Sequence, residues 1–251
     1  MFTLEGQTIL VTGASRGIGA ATAQLVLELG GTLVGSYQNA PGKLDTLQAE
    51  YGADRVLSVQ VNLGEKGAGK RLWQEAMAFK GRIDGLVNNA GIAPETPIDA
   101  DDEVWDKDWA DVIAVNLQAV ADLCRAAVLA FKKQGGGRIV TVASRAAFRG
   151  DIPECLHYAA SKGALVAMMR SIARAYAKDG IYGFIIAPGW VKTDMATGIY
   201  EPGNEYKLQE IPMGDAAPAE EVGNMITFLL SGKVDNATGA TFDINGASYV
   251  R

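Results

Sequence analysis

Tyr158 and Lys162 stand four residues apart in the run Tyr158-Ala159-Ala160-Ser161-Lys162. On an α-helix that spacing puts both side chains on one face, one turn apart. A free tyrosine has a pKa of about 10 and is a poor acid or base near neutrality. An ammonium within a few ångströms favours the phenolate and brings that pKa down. Ser144, just after the apolar run Arg138-Ile139-Val140-Thr141-Val142-Ala143, offers a hydroxyl to a substrate oxygen. Together the three can move a proton on or off a carbonyl or alcohol oxygen while another group moves a hydride. A Tyr-x-x-x-Lys pair by itself also suits a solvated helix face, so the weight falls on its surroundings.

A second stretch has phosphate-binding chemistry. The β-prone run Thr8-Ile9-Leu10-Val11-Thr12 leads into Gly13-Ala14-Ser15-Arg16-Gly17-Ile18-Gly19, followed by a helical pattern from Ala20 to Leu29. Strand, glycine-rich turn and helix is the context in which such glycines cradle a pyrophosphate. Gly13 permits the tight turn, Gly17 lets backbone approach the anion, and Gly19 lets helix pack on strand. The helix N-terminus presents free N–H groups to the anion. The next strand, Thr32-Leu33-Val34-Gly35-Ser36-Tyr37, ends without the acid that would hold a free ribose 2′-hydroxyl; Tyr37, Gln38 and Asn39 stand there. Arg16 is a cation in the adjacent turn where a 2′-phosphate can sit, with Ser36, Gln38 and Asn39 as neutral donors. This pattern favours NADP(H) over NAD(H).

The remaining pattern must position these groups. Strands are predicted over 56–61, 83–87, 138–143, 182–187 and 239–244, and helices over 65–79, 103–133, a stretch through Tyr158 to about 178, and 219–230. Their alternation predicts an α/β fold: a single-domain, Rossmann-type doubly wound parallel sheet of about seven strands, helices on both faces, spanning 1–251. Functional residues then collect at the carboxyl ends of strands, where Gly13, Asn88, Ser144 and Pro188 fall. The stretch 190–218 has weak periodicity and carries Pro202, Gly203, Pro212 and Gly214; a loop that long reads as a mobile lid.

Composition excludes several classes. A net charge of −6 gives no electrostatic reason to bind nucleic acid or an anionic membrane. No apolar run is of membrane-spanning length, and the start Met1-Phe2-Thr3-Leu4-Glu5-Gly6 lacks a signal-peptide pattern. Cys124 and Cys155 make no disulfide framework, and one histidine makes no metal cluster. The expected setting is cytoplasmic.

In this order Thr12-Gly13-x-x-x-Gly17-x-Gly19, Asn88-Asn89-Ala90-Gly91, Asn116, Ser144, Tyr158-x-x-x-Lys162 and Pro188-Gly189 resemble the short-chain dehydrogenase/reductase superfamily over nearly the whole chain. The glycine stretch and Asn245-Gly246 look most like its 3-oxoacyl-carrier-protein reductase branch. The resemblance implies Tyr158 as acid/base, Lys162 lowering its pKa and binding the nicotinamide ribose, Ser144 on the substrate oxygen, and Asn116 anchoring a water that links Lys162 to solvent. It places Asn62, Leu63, Asn88, Asn89, Ala90 and Gly91 on the adenosine side, and Pro188, Gly189, Val191 and Thr193 about the carboxamide. It also implies a small-molecule carbonyl or alcohol substrate, with 3-oxoacyl-thioester reduction and an acyl-carrier-protein partner as one version, and a homotetramer. An NAD-dependent alcohol or sugar dehydrogenase is the alternative; a non-catalytic dinucleotide sensor is more remote. The Ser144–Tyr158 spacing is one longer than usual, which predicts a reshaped connection, and Asn62 replaces the usual Asp.

Several residues have plainer readings. His157 points about 100° away from Tyr158 around a helix, which suggests a surface or interface position. Cys155 lacks a fixed positive partner and reads as inert. Trp105 and Trp109 read as packing, and Lys132-Lys133 as a solvated helix end, with a basic docking patch for an acidic partner as the alternative.

Overall fold

The computed structural model describes residues 2–251, with the side chains of Met195 and Thr197 left undescribed. The apolar runs of the sequence become seven strands: β1 (Thr8–Val11), β2 (Thr32–Tyr37), β3 (Val56–Gln60), β4 (Gly85–Asn88), β5 (Gly137–Val142), β6 (Ile181–Pro188) and β7 (Thr241–Ile244). All pair in parallel, in the order β3-β2-β1-β4-β5-β6-β7. Every residue of β1 and β4 is buried, as expected of central strands covered on both faces.

Alternate strand residues feed two cores. Leu10, Val34, Leu86, Ile139 and Ile185 face one, with α3 (Ala68–Lys80), α5 (Ala119–Gln134) and α7 (Leu156–Tyr176). Ile9, Val11, Leu33, Val87, Val140 and Phe184 face the other, with α1 (Gly17–Glu28), α2 (Lys43–Tyr51) and α9 (Ala219–Leu230). Replacing one of these buried leucines by alanine costs about 2–5 kcal/mol. The order reverses between β1 and β4, opening a crevice beyond their carboxyl ends where such sheets bind ligands.

The predicted helix over 103–133 is instead α4 (Asp102–Ile113), a π-turn (Ala114–Gln118) and α5. This run of 33 residues is long and apolar enough by composition to cross a membrane, which the sequence reading excluded. Its α5 portion buries Leu123, Cys124, Ala127, Val128 and Phe131 against the sheet, the position of a core helix. The α2 helix was not predicted: only Leu44 and Leu47 of its nine residues are buried, too faint a pattern to read. The stretch 190–218 is not structureless. It holds a 3₁₀ segment (Asp194–Tyr200) and α8 (Glu205–Gln209) around a small cluster of Ala196, Ile199 and Ala216 with Trp190 and Leu208.

Candidate active site

The glycine turn and the end of β4 are laced together across the crevice. The Thr12 hydroxyl accepts the N–H groups of Asn89 (2.9 Å) and Ala90 (3.0 Å), and Asn89 Nδ2 donates to the carbonyls of Thr12 (2.9 Å) and Gly13 (3.1 Å). A Cβ on Gly19 would lie 2.1 Å from the Gly13 carbonyl, so only glycine lets this turn close on itself. Gly13 and Gly17 adopt φ +65° and +55°. Arg16 at the N-cap supplies no side-chain cap, so the first N–H groups of α1, beginning at Gly17-Ile18-Gly19, keep their capacity for an anion. Ser15 is tied to the next loop, where its carbonyl accepts the Lys43 N–H at 2.9 Å. These features fit a dinucleotide pyrophosphate.

At the far end of β2 the expected donors separate. Gln38 and Asn39 are exposed, and Tyr37 is half-buried against the second core. Ser36 is buried, and its hydroxyl accepts the Gly13 N–H at 3.4 Å, so it braces the turn rather than facing a phosphate. Arg16 is exposed and pairs with Asp194 at 3.0 Å, a lid residue far along the chain. Gln38 and Asn62 share a polar cleft of about 330 Å³ with Arg71, a cation the sequence reading passed over. Asn62 accepts the Gly64 N–H at 3.0 Å, and Leu63 is buried in the first core. Asn88, expected on the adenosine side, is also buried: its amide donates to Thr141 Oγ1 at 3.1 Å and lies 3.4 Å from Cys124 Sγ. Strand alternation turns it inward, while Asn89, Ala90 and Gly91 stay at the crevice.

The strand ends β5 and β6 carry the second half. Ser144 follows β5, and α7 presents Tyr158 and Lys162 toward it. The Lys162 ammonium is buried, donates to the Val142 carbonyl at 2.9 Å and lies 5.5 Å from the centroid of the Tyr158 ring. Burial brings Lys162 down to about 8. The Tyr158 ring is partly exposed, but protein surrounds its phenol. Burial pushes its pKa up to about 12, against a hydrogen bond with Ser144 that pulls it down. This corrects the expectation that the lysine dominates: desolvation of the phenol outweighs its neighbours, and Lys162 is committed to a backbone carbonyl. Asn116 sits in the π-turn, an insertion that re-aims a helical side chain. Its Oδ1 accepts the Ile92 N–H (2.8 Å), and its Nδ2 donates to the Ile92 carbonyl (2.9 Å) and Ser161 Oγ (3.2 Å). A Cβ on Gly91 would lie 3.3 Å from Asn116 Oδ1 and 3.4 Å from Lys162 Nζ, so both polar groups border the same backbone.

His157 is buried within the chain, contrary to the surface or interface position expected of it. Its Nδ1 accepts the Tyr158 N–H at 2.7 Å, its Nε2 lies 3.0 Å from Thr96 Oγ1, and that hydroxyl donates to Asp108 at 2.7 Å. Donor counting therefore puts the ring proton on Nε2. Burial holds the His157 pKa down, which suits the neutral ring. Sequence neighbours suggested only where His157 points on its helix; Thr96 and Asp108 come from a loop and a helix that only the fold brings there. Trp109 closes the network, its ring centroid 5.8 Å from that of His157 and 5.8 Å from that of Trp105, as packing predicts. Cys155 is buried with its pKa raised to about 11 by burial and nearby acids, which matches an inert thiol.

On the remaining side, Pro188 and Val191 are buried, and Gly189 packs so closely that a Cβ would lie 2.8 Å from Asn245 Cβ. Thr193 Oγ1 bonds the Val191 carbonyl at 3.3 Å and lies over Gly17 of the glycine turn. The Ser144–Tyr158 connection forms α6 (Ala146–Arg149) and a 3₁₀ turn (Pro153–Cys155).

A family described as enoyl-(acyl carrier protein) reductase matches residues 13–247. The chain belongs to the short-chain dehydrogenase/reductase superfamily. Its likeness to the 3-oxoacyl-[acyl-carrier-protein] reductase of Escherichia coli is 32% identity over 98% of each chain. Among solved structures, it superposes on the 3-oxoacyl (acyl-carrier-protein) reductase of Agrobacterium tumefaciens, which has NADP bound, with TM-score 0.88 and 30% identity over 98% of this chain and 95% of that one. It superposes on a glucose/ribitol-type short-chain dehydrogenase/reductase of Brucella melitensis with TM-score 0.89 and 32% identity over 100% and 99%. The protein is therefore an oxidoreductase of this superfamily, in its 3-oxoacyl-carrier-protein-reductase-like branch. Hydride transfer is its reaction class.

Proposed function

We propose that this oxidoreductase reduces the carbonyl of a small molecule with NADPH, and in reverse oxidises the secondary alcohol, with Tyr158 as the proton donor and acceptor. One observation carries the reading: the Tyr158 phenol has Ser144 as a neighbour that pulls its pKa down, and it stands one helical turn from the buried Lys162 ammonium, 5.5 Å from the ring centroid. When bound, the nicotinamide supplies or accepts the hydride. Ser144 holds the substrate oxygen, and Tyr158, protonated well past neutrality, gives it a proton. Lys162 then stabilises the phenolate left behind. Asn116 fixes Ile92 and Ser161 about Lys162 and retains a lone pair on Oδ1 for the water relay expected of it.

The glycine turn would hold the pyrophosphate, Asn62, Leu63, Asn89, Ala90 and Gly91 the adenosine side, and Pro188, Gly189, Val191 and Thr193 the carboxamide. The choice of NADPH over NADH rests on Arg16 and on the absence of an acid at Tyr37. A charge-assisted hydrogen bond contributes about 1.5–3 kcal/mol, tenfold or more in affinity. Steady-state kcat/KM with both cofactors tests this: Arg16→Ala should cost NADPH far more than NADH, and Tyr37→Asp should reverse the preference. A wild type that prefers NADH, with Arg16→Ala equal on both, would assign the protein instead as an NAD-dependent dehydrogenase. A 3-oxoacyl thioester, with or without an acyl-carrier-protein partner, is the substrate version suggested by the E. coli relative's name.

Assembly as a homotetramer completes the proposal. Val104 on α4, Leu129 on α5 and Leu156 at the start of α7 are exposed apolar residues. Ala127 and Ala173 are used in the chain's own core, but Ala121, Ala126, Ala130, Ala164 and Ala167 leave room for close helix contact. Light scattering that finds a stable monomer at micromolar concentration overturns it.

A further inference from the structure

Arg145 follows Ser144 directly and is only 6% exposed. Its backbone N–H donates to the Pro188 carbonyl at 2.9 Å, and its guanidinium lies 5.8 Å from the ring centroid of Trp190. The two side chains thus come from the neighbouring ends of β5 and β6. Trp190 packs in turn on the cluster of Ala196, Ile199 and Ala216, which puts the pair beneath the 190–218 stretch, with Arg145 next in sequence to Ser144 and Trp190 next to Gly189.

Two donors of this pair are unspent. Arg145 Nη1 and Trp190 Nε1 are both buried and have no hydrogen-bond acceptor among the described residues. The nearest carboxylate, Glu210, lies 3.7 Å from Arg145 Nη2, too far for a hydrogen bond, and is shared with Arg149 at 3.3 Å. Other arginines in the molecule behave differently. Arg138 sends Nε and Nη2 to Asp235, each at 2.8 Å, and Arg55 Nη2 bonds the carbonyls of Leu27 (2.9 Å) and Gly31 (2.7 Å). A buried guanidinium left without a close counter-charge is costly, and a buried orphan donor calls for an acceptor. Burial and Arg149 pull the Arg145 pKa down, against Glu210 and Asp151, which pull it up.

We propose that Arg145 Nη1 and Trp190 Nε1 form a subsite for a carboxylate carried on the same molecule as the reacting carbonyl, so that the substrate is a small keto acid or, in reverse, a hydroxy acid. The inference rests on the carbonyl-reductase reading above and names the substrate class of that same site. Two donors match two carboxylate oxygens, and the anion supplies the charge that Glu210 provides only at a distance. A neutral thioester carbonyl can accept one of these hydrogen bonds but brings no counter-charge. Glu210, on the lid, keeps Arg149 when the anion takes its place at Arg145.

The test compares levulinate and acetoacetate with their methyl esters and with the acetoacetyl thioester of N-acetylcysteamine, by NADPH oxidation. Wild type should show kcat/KM at least tenfold higher for the acids, mostly through KM, and the acid-to-ester ratio should fall to about one in Arg145→Gln. Trp190→Phe, which keeps the packing and deletes Nε1, should lower that ratio less, and Arg145→Lys should keep part of it. Ester or thioester turnover equal to that of the acids in wild type, or an unchanged ratio in Arg145→Gln, overturns the subsite while leaving the reductase reading intact. Tryptophan fluorescence titrated with levulinate and with methyl levulinate reads binding without turnover. Saturable quenching by levulinate alone, lost in Arg145→Gln, supports the subsite even if no NADPH is consumed, in which case the reductase reading fails; no saturable response overturns the subsite.

Discussion

The catalytic corner and the lid are held by different physics. Around Tyr158, buried groups from the end of β5, the π-turn, α7 and the 92–96 loop bond one another: Lys162 to Val142, Asn116 to Ile92 and Ser161, His157 to Thr96 and the Tyr158 backbone. The stretch 190–218, expected to act as a lid, is tied by exposed ion pairs, Arg16–Asp194 at 3.0 Å and Lys192–Asp215 at 2.5 Å, and by a short backbone bridge between Val191 and Ala217, over a small cluster of Ala196, Ile199 and Ala216 with Trp190 and Leu208. Lys192 and Tyr200 hold the Asp215 carboxyl down at about 2. Exposed pairs contribute only about 0–1 kcal/mol each, so this stretch is expected to open more cheaply than the corner. Proton transfer needs fixed geometry, whereas substrate entry needs a cover that moves.

The largest effect that would break this contrast is at Tyr158. Tyr158→Phe deletes only the transferable proton, so kcat should fall about 10²–10⁴-fold while cofactor affinity, measured by NADPH fluorescence, stays nearly intact. Near-wild-type turnover would remove the corner from the chemistry. Lys162→Ala should damage rate and cofactor affinity together, since the ammonium is proposed to serve both; loss of only one assigns it a single role.

The pH dependence sharpens the buried side of the comparison. Burial lowers Lys162 from 10.5 in the unfolded chain to about 8 in the folded protein. Between those values the unfolded chain binds more protons, so this lysine makes stability rise with pH across that window, a slope that Lys162→Met should remove from urea titrations. Tyr158 acts oppositely. Its pKa is raised from 10.0 to about 12, and its contribution is complete below 10 and lost as pH climbs through 12. In kinetics, kcat/KM for NADPH, which reports the free enzyme, should decline above about pH 8 as Lys162 loses its charge.

Smaller effects belong to the lid. Amide exchange over 190–218 should be fast in the free protein and slowed by cofactor with substrate; uniform protection would erase the contrast. Asp194→Asn releases Arg16 from an ion pair whose side chains are 67% and 72% exposed, so NADPH affinity should rise by no more than about fivefold, with NADH unchanged. A larger gain would mean that the lid, and not only the glycine turn, sets cofactor choice.

The sequence by itself determined the layered α/β fold and its strand ends. Apolar runs too continuous for one-sided strands require cover on both faces, and glycines confined to strand–helix turns mark where an anion can approach. It also put Tyr158 and Lys162 on one helix face and Ser144 at a strand end, because spacing along one helix and position after one strand are local properties. The tertiary structure decided what depends on distant neighbours. It turned Ser36 and Asn88 inward, where β-strand alternation and crevice shape set which side chain meets a ligand. It buried His157 by bringing Thr96 and Asp108 to it, and inserted the π-turn that aims Asn116 inward. It reversed the expected shift at Tyr158, since desolvation is a property of everything packed around a phenol and not of the lysine four residues away. Arg145 is the sharpest case. In sequence it is one more cation after a serine; only the fold shows that it is buried, with Glu210 3.7 Å from one end of the guanidinium and no acceptor for Nη1.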